Sequence, residues 1–133
     1  MRIIIKYCRT RLLIALLLGL TCAIVQADSS QPVVTPKDAA AMQAMKKAII
    51  VDVREDSEWQ EQHVPSALHI PLGQLDKRLV ELKAYQHSPI ITQCRSGKRS
   101  AQAQSILKSA GFTEVYNLEG GIQAWQQQGL TTE

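Results

Sequence analysis

The chain has 133 residues, with 15 Lys and Arg against 12 Asp and Glu and a formal net charge of +3 at pH 7. Residues 1–27 hold four of these cations and no acid, so residues 28–133 carry 11 cations and 12 acids, a net charge near −1. The basicity therefore belongs to the N-terminal segment. The remainder lacks the basic surface of a nucleic-acid-binding domain, and we expect no nucleic-acid partner.

Residues 1–27 have the three parts of a secretory signal peptide. A basic start is followed by an apolar stretch from Leu12 to Val25, and Val25-Gln26-Ala27 offers small residues for cleavage before Asp28. The apolar stretch is shorter than the roughly 20 residues that a helix needs to span a bilayer. We therefore predict cleavage near Ala27-Asp28, a periplasmic location, and no membrane attachment after cleavage.

Residues 28–133 are long enough for one domain with a single hydrophobic core. Two of the three cysteines, Cys8 and Cys22, lie in the predicted signal, which leaves Cys94 alone. The mature chain can therefore form no internal disulfide. A single thiol in an oxidising compartment is either buried or put to use.

Helices and strands are predicted to alternate along the domain. Thr35-Pro36-Lys37-Asp38 is typical of a helix start, because Thr caps the helix and Pro fits its first turn; this helix should reach about Lys46. A buried strand follows over residues 48–53. Next come a short helix over residues 57–62, with Asp56 as its cap, and a short strand over residues 67–70.

The second half of the chain continues this alternation. Leucines at helical spacing predict an amphipathic helix containing Leu72, Leu75, Leu79 and Leu82. The remaining predicted elements are a strand over 90–92, a helix after Cys94 that ends near Gly111, a strand over 115–118, and a closing helix over 122–128. Continuous apolar strands between helices predict an α/β fold with a mostly parallel sheet. In such sheets ligands bind beyond the carboxyl ends of the strands, where Cys94 lies.

The segment Cys94-Arg95-Ser96-Gly97-Lys98-Arg99 has the features of a nucleophile loop. A reactive cysteine needs a lowered pKa, which nearby cations and a helix N-terminus supply. Gly97 permits a tight backbone curve in which N–H groups point inward and bind an anion. Three cations follow the cysteine within five residues, which is a poor setting for an inert core residue. We therefore predict that Cys94 is a catalytic nucleophile.

Four segments form a set of motifs. They are Val51-Asp52-Val53-Arg54-Glu55 with Glu58-Trp59, His63-Val64-Pro65-Ser66-Ala67 with Ile70-Pro71, Cys94-Arg95-Ser96-Gly97-Lys98-Arg99-Ser100, and Glu119-Gly120-Gly121 with Ala124-Trp125. Together they resemble the signatures of the rhodanese (sulfurtransferase) family over most of residues 33–130. With an export signal on a single domain, the chain is most similar to the periplasmic rhodaneses of the bacterial phage-shock system. One departure is Gln62, which stands where the family usually has glycine.

The resemblance implies a single domain with a five-stranded parallel sheet flanked by helices on both faces. It also implies a reaction in which Cys94 takes the outer sulfur of thiosulfate, releases sulfite, and passes the sulfur from a persulfide to cyanide or a thiol. Arg95, Ser96, Gly97, Lys98 and Arg99 would bind the substrate. We expect a monomer that uses no cofactor and no metal.

Three alternatives stay open from the sequence. A cysteine-dependent phosphatase usually has five residues between Cys and Arg, whereas four separate Cys94 from Arg99. A carrier module would hold the persulfide without turning over. A thiol oxidoreductase is disfavoured because no second cysteine can resolve a mixed disulfide. Trp59 and Trp125 are expected in the core. Asp52 and Arg54 either border the pocket or tie loops together, and we favour the structural role.

Overall fold

The computed structural model describes residues 30–133, so the predicted export signal lies outside the described residues. The strands are β1 (Val33–Val34), β2 (Ile49–Asp52), β3 (Leu68–His69), β4 (Ile90–Gln93) and β5 (Val115–Leu118). The α-helices are α1 (Pro36–Ala44), α2 (Asp56–Glu61), α3 (Leu75–Arg78), α4 (Lys98–Ser109) and α5 (Gly121–Gln127), and 3₁₀ turns span Leu72–Gln74 and Leu79–Tyr85. None of the helices in this part of the chain is long and apolar enough to cross a membrane.

The five strands form one sheet in the order β1-β5-β4-β2-β3, and every neighbouring pair is parallel. The predicted α/β class with a five-stranded parallel sheet is therefore confirmed. Strand β4 lies at the centre, and all four of its residues are buried, as expected for a strand covered on both faces. The residue that follows β4 emerges at the middle of the carboxyl edge.

The sheet separates two apolar clusters, one on each face. The first lies under α3, α4 and the 3₁₀ turns, with Leu75, Leu82 and Leu107 buried in it. The second lies under α1 and α5 and contains Ala39 and Trp125, the latter 3% exposed. Trp125 therefore faces inward, as predicted. Because both faces are covered, only the edges of the sheet remain for a site.

Helix starts are set by side chains that satisfy free backbone N–H groups. Thr35 caps α1, accepting a hydrogen bond from the N–H of Asp38 at 3.2 Å. At α2 the prediction of Asp56 as the cap was wrong by one residue. Glu55 is the cap and forms a capping box with Glu58, whose carboxylate accepts the Glu55 N–H at 3.1 Å. This bond fixes the orientation of Glu58.

Two elements differ from the sequence prediction. Strand β1 was not predicted, because a two-residue edge strand with Val33 57% exposed leaves no recognisable apolar run. The helix predicted through Leu72–Leu82 is instead one α-helical turn between two 3₁₀ segments. A 3₁₀ helix also places residues i and i+3 on one side, so leucines spaced by three reach the core without a continuous α-helix.

Candidate active site

Cys94 follows the last residue of β4 and is 1% exposed. The structure confirms the predicted position at the end of a buried strand, and it places the thiol inside the loop. Its Sγ accepts a hydrogen bond from the N–H of Gly97 at 3.1 Å and lies 3.3 Å from the Ser100 hydroxyl. Residues 95–99 therefore curve around the sulfur, and only a slender group can reach it in this conformation.

The loop changes the acidity of the Cys94 thiol. Burial of the thiol raises its pKa, but hydrogen bonds from the Ser100 hydroxyl and from the N–H groups of Ser100, Ser96 and Gly97 outweigh this effect. The pKa of Cys94 is therefore held below its usual value, which favours the thiolate. We expected the loop cations to contribute much of this shift. The hydrogen bonds of the loop and of Ser100 are the main stabilising causes instead.

The curvature of the loop depends on Gly97, which has φ +103° and caps α4. A residue with a side chain rarely adopts this left-handed conformation. The Gly97 carbonyl accepts a hydrogen bond from Asn117 Nδ2 at 2.9 Å, so it points out of the loop. The Gly97 N–H is left facing the sulfur, and the positive end of α4 begins at the next residue.

The Ser100 hydroxyl has one proton and two neighbouring acceptors. Its oxygen lies 2.6 Å from Asn117 Oδ1 and 3.3 Å from Cys94 Sγ. The backbone of Ser100 is fixed as well, because its carbonyl accepts the hydroxyl of Thr92 at 2.9 Å. Asn117, which the sequence analysis missed, thus holds both the loop carbonyl and the hydroxyl nearest the thiol.

We expect Ser100→Ala to raise the pKa of Cys94, because it removes one of the hydrogen bonds that stabilise the thiolate. The rate of iodoacetamide alkylation measured against pH gives this pKa directly, and its midpoint should move to higher pH. Ser109→Ala, at the exposed C-terminal end of α4, is the matched control and should leave the midpoint unchanged. An unchanged midpoint in Ser100→Ala would show that the Ser100 hydroxyl does not lower the pKa of Cys94.

The β5–α5 corner clamps the start of the loop. The N–H of Ile122 donates to the Cys94 carbonyl at 2.8 Å, and the N–H of Gln123 donates to the Arg95 carbonyl at 3.2 Å. Gly121 has φ +60°, and a Cβ at this position would collide with the Cys94 carbonyl oxygen and lie 2.6 Å from the Arg95 carbonyl carbon. Close approach of the two backbones therefore requires glycine at this position.

The predicted substrate-binding residues lie around the loop in different settings. Gly97 faces the sulfur, whereas the side chains of Arg95, Ser96 and Lys98 are exposed. Arg99 instead pairs with Glu58 of α2, Nη1 to Oε2 at 2.7 Å and Nη2 to Oε1 at 2.8 Å. A direct contact of each residue with substrate stays a prediction.

Asp52 and Arg54 form a buried ion pair beneath the site, 0% and 3% exposed. Arg54 Nη2 donates to Asp52 Oδ2 at 2.7 Å and to the Gln62 carbonyl at 2.8 Å. The pair therefore ties β2 to the end of α2, as expected for a structural role, and Arg54 also lines the polar groove next to the loop, the other position considered for it. Gln62 has φ −171°, an extended conformation open to any residue, so its departure from the family glycine imposes no strain.

Trp59 was expected in the core but is only half-buried. Its ring is stacked between two imidazoles, with centroids 3.7 Å from His63 and 4.7 Å from His69. His69 also hydrogen-bonds the Arg54 carbonyl at 2.8 Å. Within residues 30–133, no cluster of three His, Cys, Asp or Glu side chains is arranged to hold a metal ion.

A polar groove of about 210 Å³ lies beside the loop, between α2 and α5. Its lining consists of Arg54, Glu58, Glu61, Gln62, Arg95, Ile122, Gln123 and Gln126. The groove places charged side chains of both signs next to the loop that surrounds Cys94. An anion approaching from this side meets Arg95 and Glu58, the carboxylate that binds Arg99.

The rhodanese-like domain family matches residues 35–128. The chain is 41% identical over 76 residues to a putative sulfur carrier protein, YrkF, of Bacillus subtilis, covering 57% of this chain and 40% of that protein. It is 32% identical over 85 residues to the thiosulfate sulfurtransferase GlpE of Coxiella burnetii, covering 64% and 78%. The chain thus spans well under two thirds of the first relative.

Solved structures give the same result for the fold. A crystal structure of a rhodanese-related protein from Thermoplasma volcanium superposes with a TM-score of 0.69 at 25% identity, covering 77% of this chain and 97% of that one. The family match covers strands β2 to β5, the Cys94 loop and the β5–α5 corner. The chain therefore belongs to the rhodanese-like domain family.

Proposed function

We propose that the protein is a thiosulfate sulfurtransferase that works through a Cys94 persulfide. The Cys94 thiolate attacks the outer sulfur of thiosulfate and forms an S–S bond. The bond from that sulfur to the sulfonate sulfur breaks, and its electron pair leaves with sulfite. Cyanide or a thiolate then attacks the outer sulfur of the persulfide, giving thiocyanate or a new persulfide and restoring the Cys94 thiolate.

The observation that carries this proposal is the set of hydrogen bonds around Sγ. The N–H of Gly97 at 3.1 Å and the Ser100 hydroxyl at 3.3 Å stabilise an anionic sulfur without a separate general base. The same inward-pointing groups suit the terminal sulfur of a persulfide, which is also anionic. A phosphatase would need room for a tetrahedral phosphate, which the tight curve over a 1% exposed sulfur does not favour.

Because Cys94 is buried, the proposal requires that a sulfur donor can reach Sγ in the folded protein. The outer sulfur of thiosulfate is a single terminal atom and is slender enough to enter the loop first. We expect iodoacetamide to label Cys94 in the native protein, faster as the thiolate fraction rises. If neither iodoacetamide nor thiosulfate modifies Cys94 in the native protein while the unfolded chain reacts with iodoacetamide, the thiol is sealed and the enzymatic proposal fails.

The direct test is the intact mass of the protein after exposure to thiosulfate. We expect a gain of one sulfur atom per chain, which cyanide removes as thiocyanate. Continuous thiocyanate production in excess thiosulfate and cyanide then measures turnover, with ping-pong kinetics. Absence of the sulfur adduct would contradict the proposed donor.

The intact mass of protein purified from its native host tests the proposed export, because cleavage near Ala27 leaves residues 28–133.

A second candidate function is persulfide carriage to a partner protein. The name of the Bacillus subtilis relative, a putative sulfur carrier protein, favours it. A carrier loaded with one sulfur yields one thiocyanate per chain and then stops, whereas an enzyme continues while thiosulfate lasts. Counting thiocyanate per chain therefore decides between the two.

A further inference from the structure

We propose that Glu58 is a specificity-determining residue: by holding the Arg99 guanidinium, it restrains the binding of doubly charged donors relative to singly charged ones. This inference rests on the proposed sulfur transfer at Cys94. Glu58 lies in α2, outside the loop that the sequence identifies as the site.

The pair is bidentate and links the two sides of the site. Both terminal nitrogens of Arg99 face the two oxygens of Glu58, at 2.7 and 2.8 Å. The side chains are 32% and 27% exposed, so the pair is partly shielded from water and accessible from the loop side. Because planar guanidinium groups bind sulfonate oxygens in the same two-pronged way as carboxylates, a donor anion competes with Glu58 for the same N–H groups.

Arg99 also interacts with the charge on the sulfur. The hydrogen bond that Arg99 donates to Glu58 is the first cause that raises the pKa of Arg99, and the Cys94 thiolate is a further one. Arg99 also lies in the first turn of α4, next to Ser100, whose hydroxyl is 3.3 Å from Cys94 Sγ. Its positive charge is therefore placed to act on the thiolate and on an anion that approaches it. With Glu58 in place, that positive charge is largely neutralised.

Glu58 is fixed as a carboxylate in a single position. The hydrogen bond from Arg99 is the largest cause that lowers its pKa to about 2, with a further contribution from the Glu55 N–H. It is therefore ionised at every pH at which a thiolate exists. The capping box holds its Oε2 at 3.1 Å from the Glu55 nitrogen, so the carboxylate cannot swing away without losing the cap of α2.

The electrostatic energy between the Arg99 guanidinium and a donor anion is proportional to the charge of the anion. If releasing Arg99 strengthens binding of a singly charged anion about 3-fold, it strengthens binding of a doubly charged anion about 9-fold, the square of that factor. These factors are of the order expected for one partly exposed ion pair. Thiosulfate carries two charges, and methanethiosulfonate offers the same outer sulfur with one.

The variant that tests this is Glu58→Gln. Glutamine serves at this capping-box position, so the amide oxygen retains the bond to the Glu55 N–H. Its NH₂ group then replaces Oε1 opposite Nη2 of Arg99. The two-pronged ion pair and its negative charge are lost, and Arg99 keeps at most one hydrogen bond, to the neutral amide oxygen. Glu61→Gln is the matched control: it removes the same charge from the same helix and groove, and its exposed side chain has no ion pair among the described residues.

We expect Glu58→Gln to lower the KM for thiosulfate about 9-fold and that for methanethiosulfonate about 3-fold, with small changes in Glu61→Gln. Equal changes for both donors, or equal changes in both variants, would overturn the proposal. A raised KM for both donors with a large drop in thermal stability would instead identify the pair as a structural latch.

A second measurement separates this inference from the proposed function. Sulfate, a doubly charged anion that transfers no sulfur, should protect Cys94 against iodoacetamide at about 9-fold lower concentration in Glu58→Gln than in the wild type. If no donor gives turnover but sulfate protection tightens in this way, the proposed function fails and the role of Glu58 stands. If turnover occurs but sulfate protection does not change, the proposed function stands and the role of Glu58 fails.

Discussion

We expect Cys94→Ser to lower thiocyanate production by about 10⁴-fold or more, because the variant has no atom that can form a persulfide. A serine hydroxyl stays protonated where the Cys94 thiol ionises, and oxygen cannot replace sulfur in the S–S bond that carries the transferred atom. Turnover from thiosulfate and cyanide and the intact mass after thiosulfate treatment both measure this loss.

The same substitution should leave the fold intact. Serine is close to cysteine in size, and its oxygen can accept the Gly97 N–H that now contacts Sγ at 3.1 Å. The melting temperature should therefore change by no more than a few degrees, about 1 kcal/mol at this chain length. Substantial turnover in a folded Cys94→Ser protein would show that the persulfide mechanism is wrong.

Gly121→Ala should have the largest effect on stability, about 2–5 kcal/mol in the free energy of unfolding. The alanine must hold φ +60°, which costs about 1–2 kcal/mol, and its Cβ would displace the Cys94–Arg95 backbone, which costs about 1–3 kcal/mol. Urea unfolding measures the change. Because the displaced segment carries the nucleophile, we also expect the alkylation midpoint of Cys94 to rise.

Gly129→Ala is the matched control for the backbone conformation. Gly129 has a similar φ of +71°, but a Cβ there meets no atom within 4 Å. It should therefore cost only the strain of the left-handed conformation, about 1–2 kcal/mol. If both variants lost the same stability and Cys94 kept its pKa, the left-handed backbone conformation alone would explain the glycine at position 121. Close contact between the corner and the loop would then not be the cause.

Local patterns in the sequence predicted the features that depend on neighbours along the chain. The apolar runs predicted strands β2 to β5, and the Thr35-Pro36 start predicted α1. The position of Cys94 after a buried strand predicted its place at the carboxyl edge. The 3₁₀ segments around α3 were missed because leucines at spacings of three and four satisfy both helix types. Burial of the thiol was missed because the curve of the loop depends on bonds from another strand.

The partners that set the chemistry of the loop were not predictable in this way. Glu58 and Arg99 are 41 positions apart, and Asn117 is 20 from Gly97. Such contacts depend on the alignment of β2, β4 and β5 in the sheet, which no local pattern encodes. The capping-box pattern at Glu55 and Glu58 offered one clue, since it fixes the Glu58 carboxylate near the carboxyl edge. It does not reveal which cation approaches from the other side.

The carbonyls of the Cys94 loop accept hydrogen bonds from outside the loop, and this affects which substitutions can change the site. Ile122, Gln123 and Asn117 bind the carbonyls of Cys94, Arg95 and Gly97, so the 117–123 corner determines which way those peptide units face. Substitutions in that corner would therefore change the reactivity of the Cys94 thiol, although none of the substituted side chains needs to contact the sulfur. Redesign of the nucleophile can therefore begin one strand away from it.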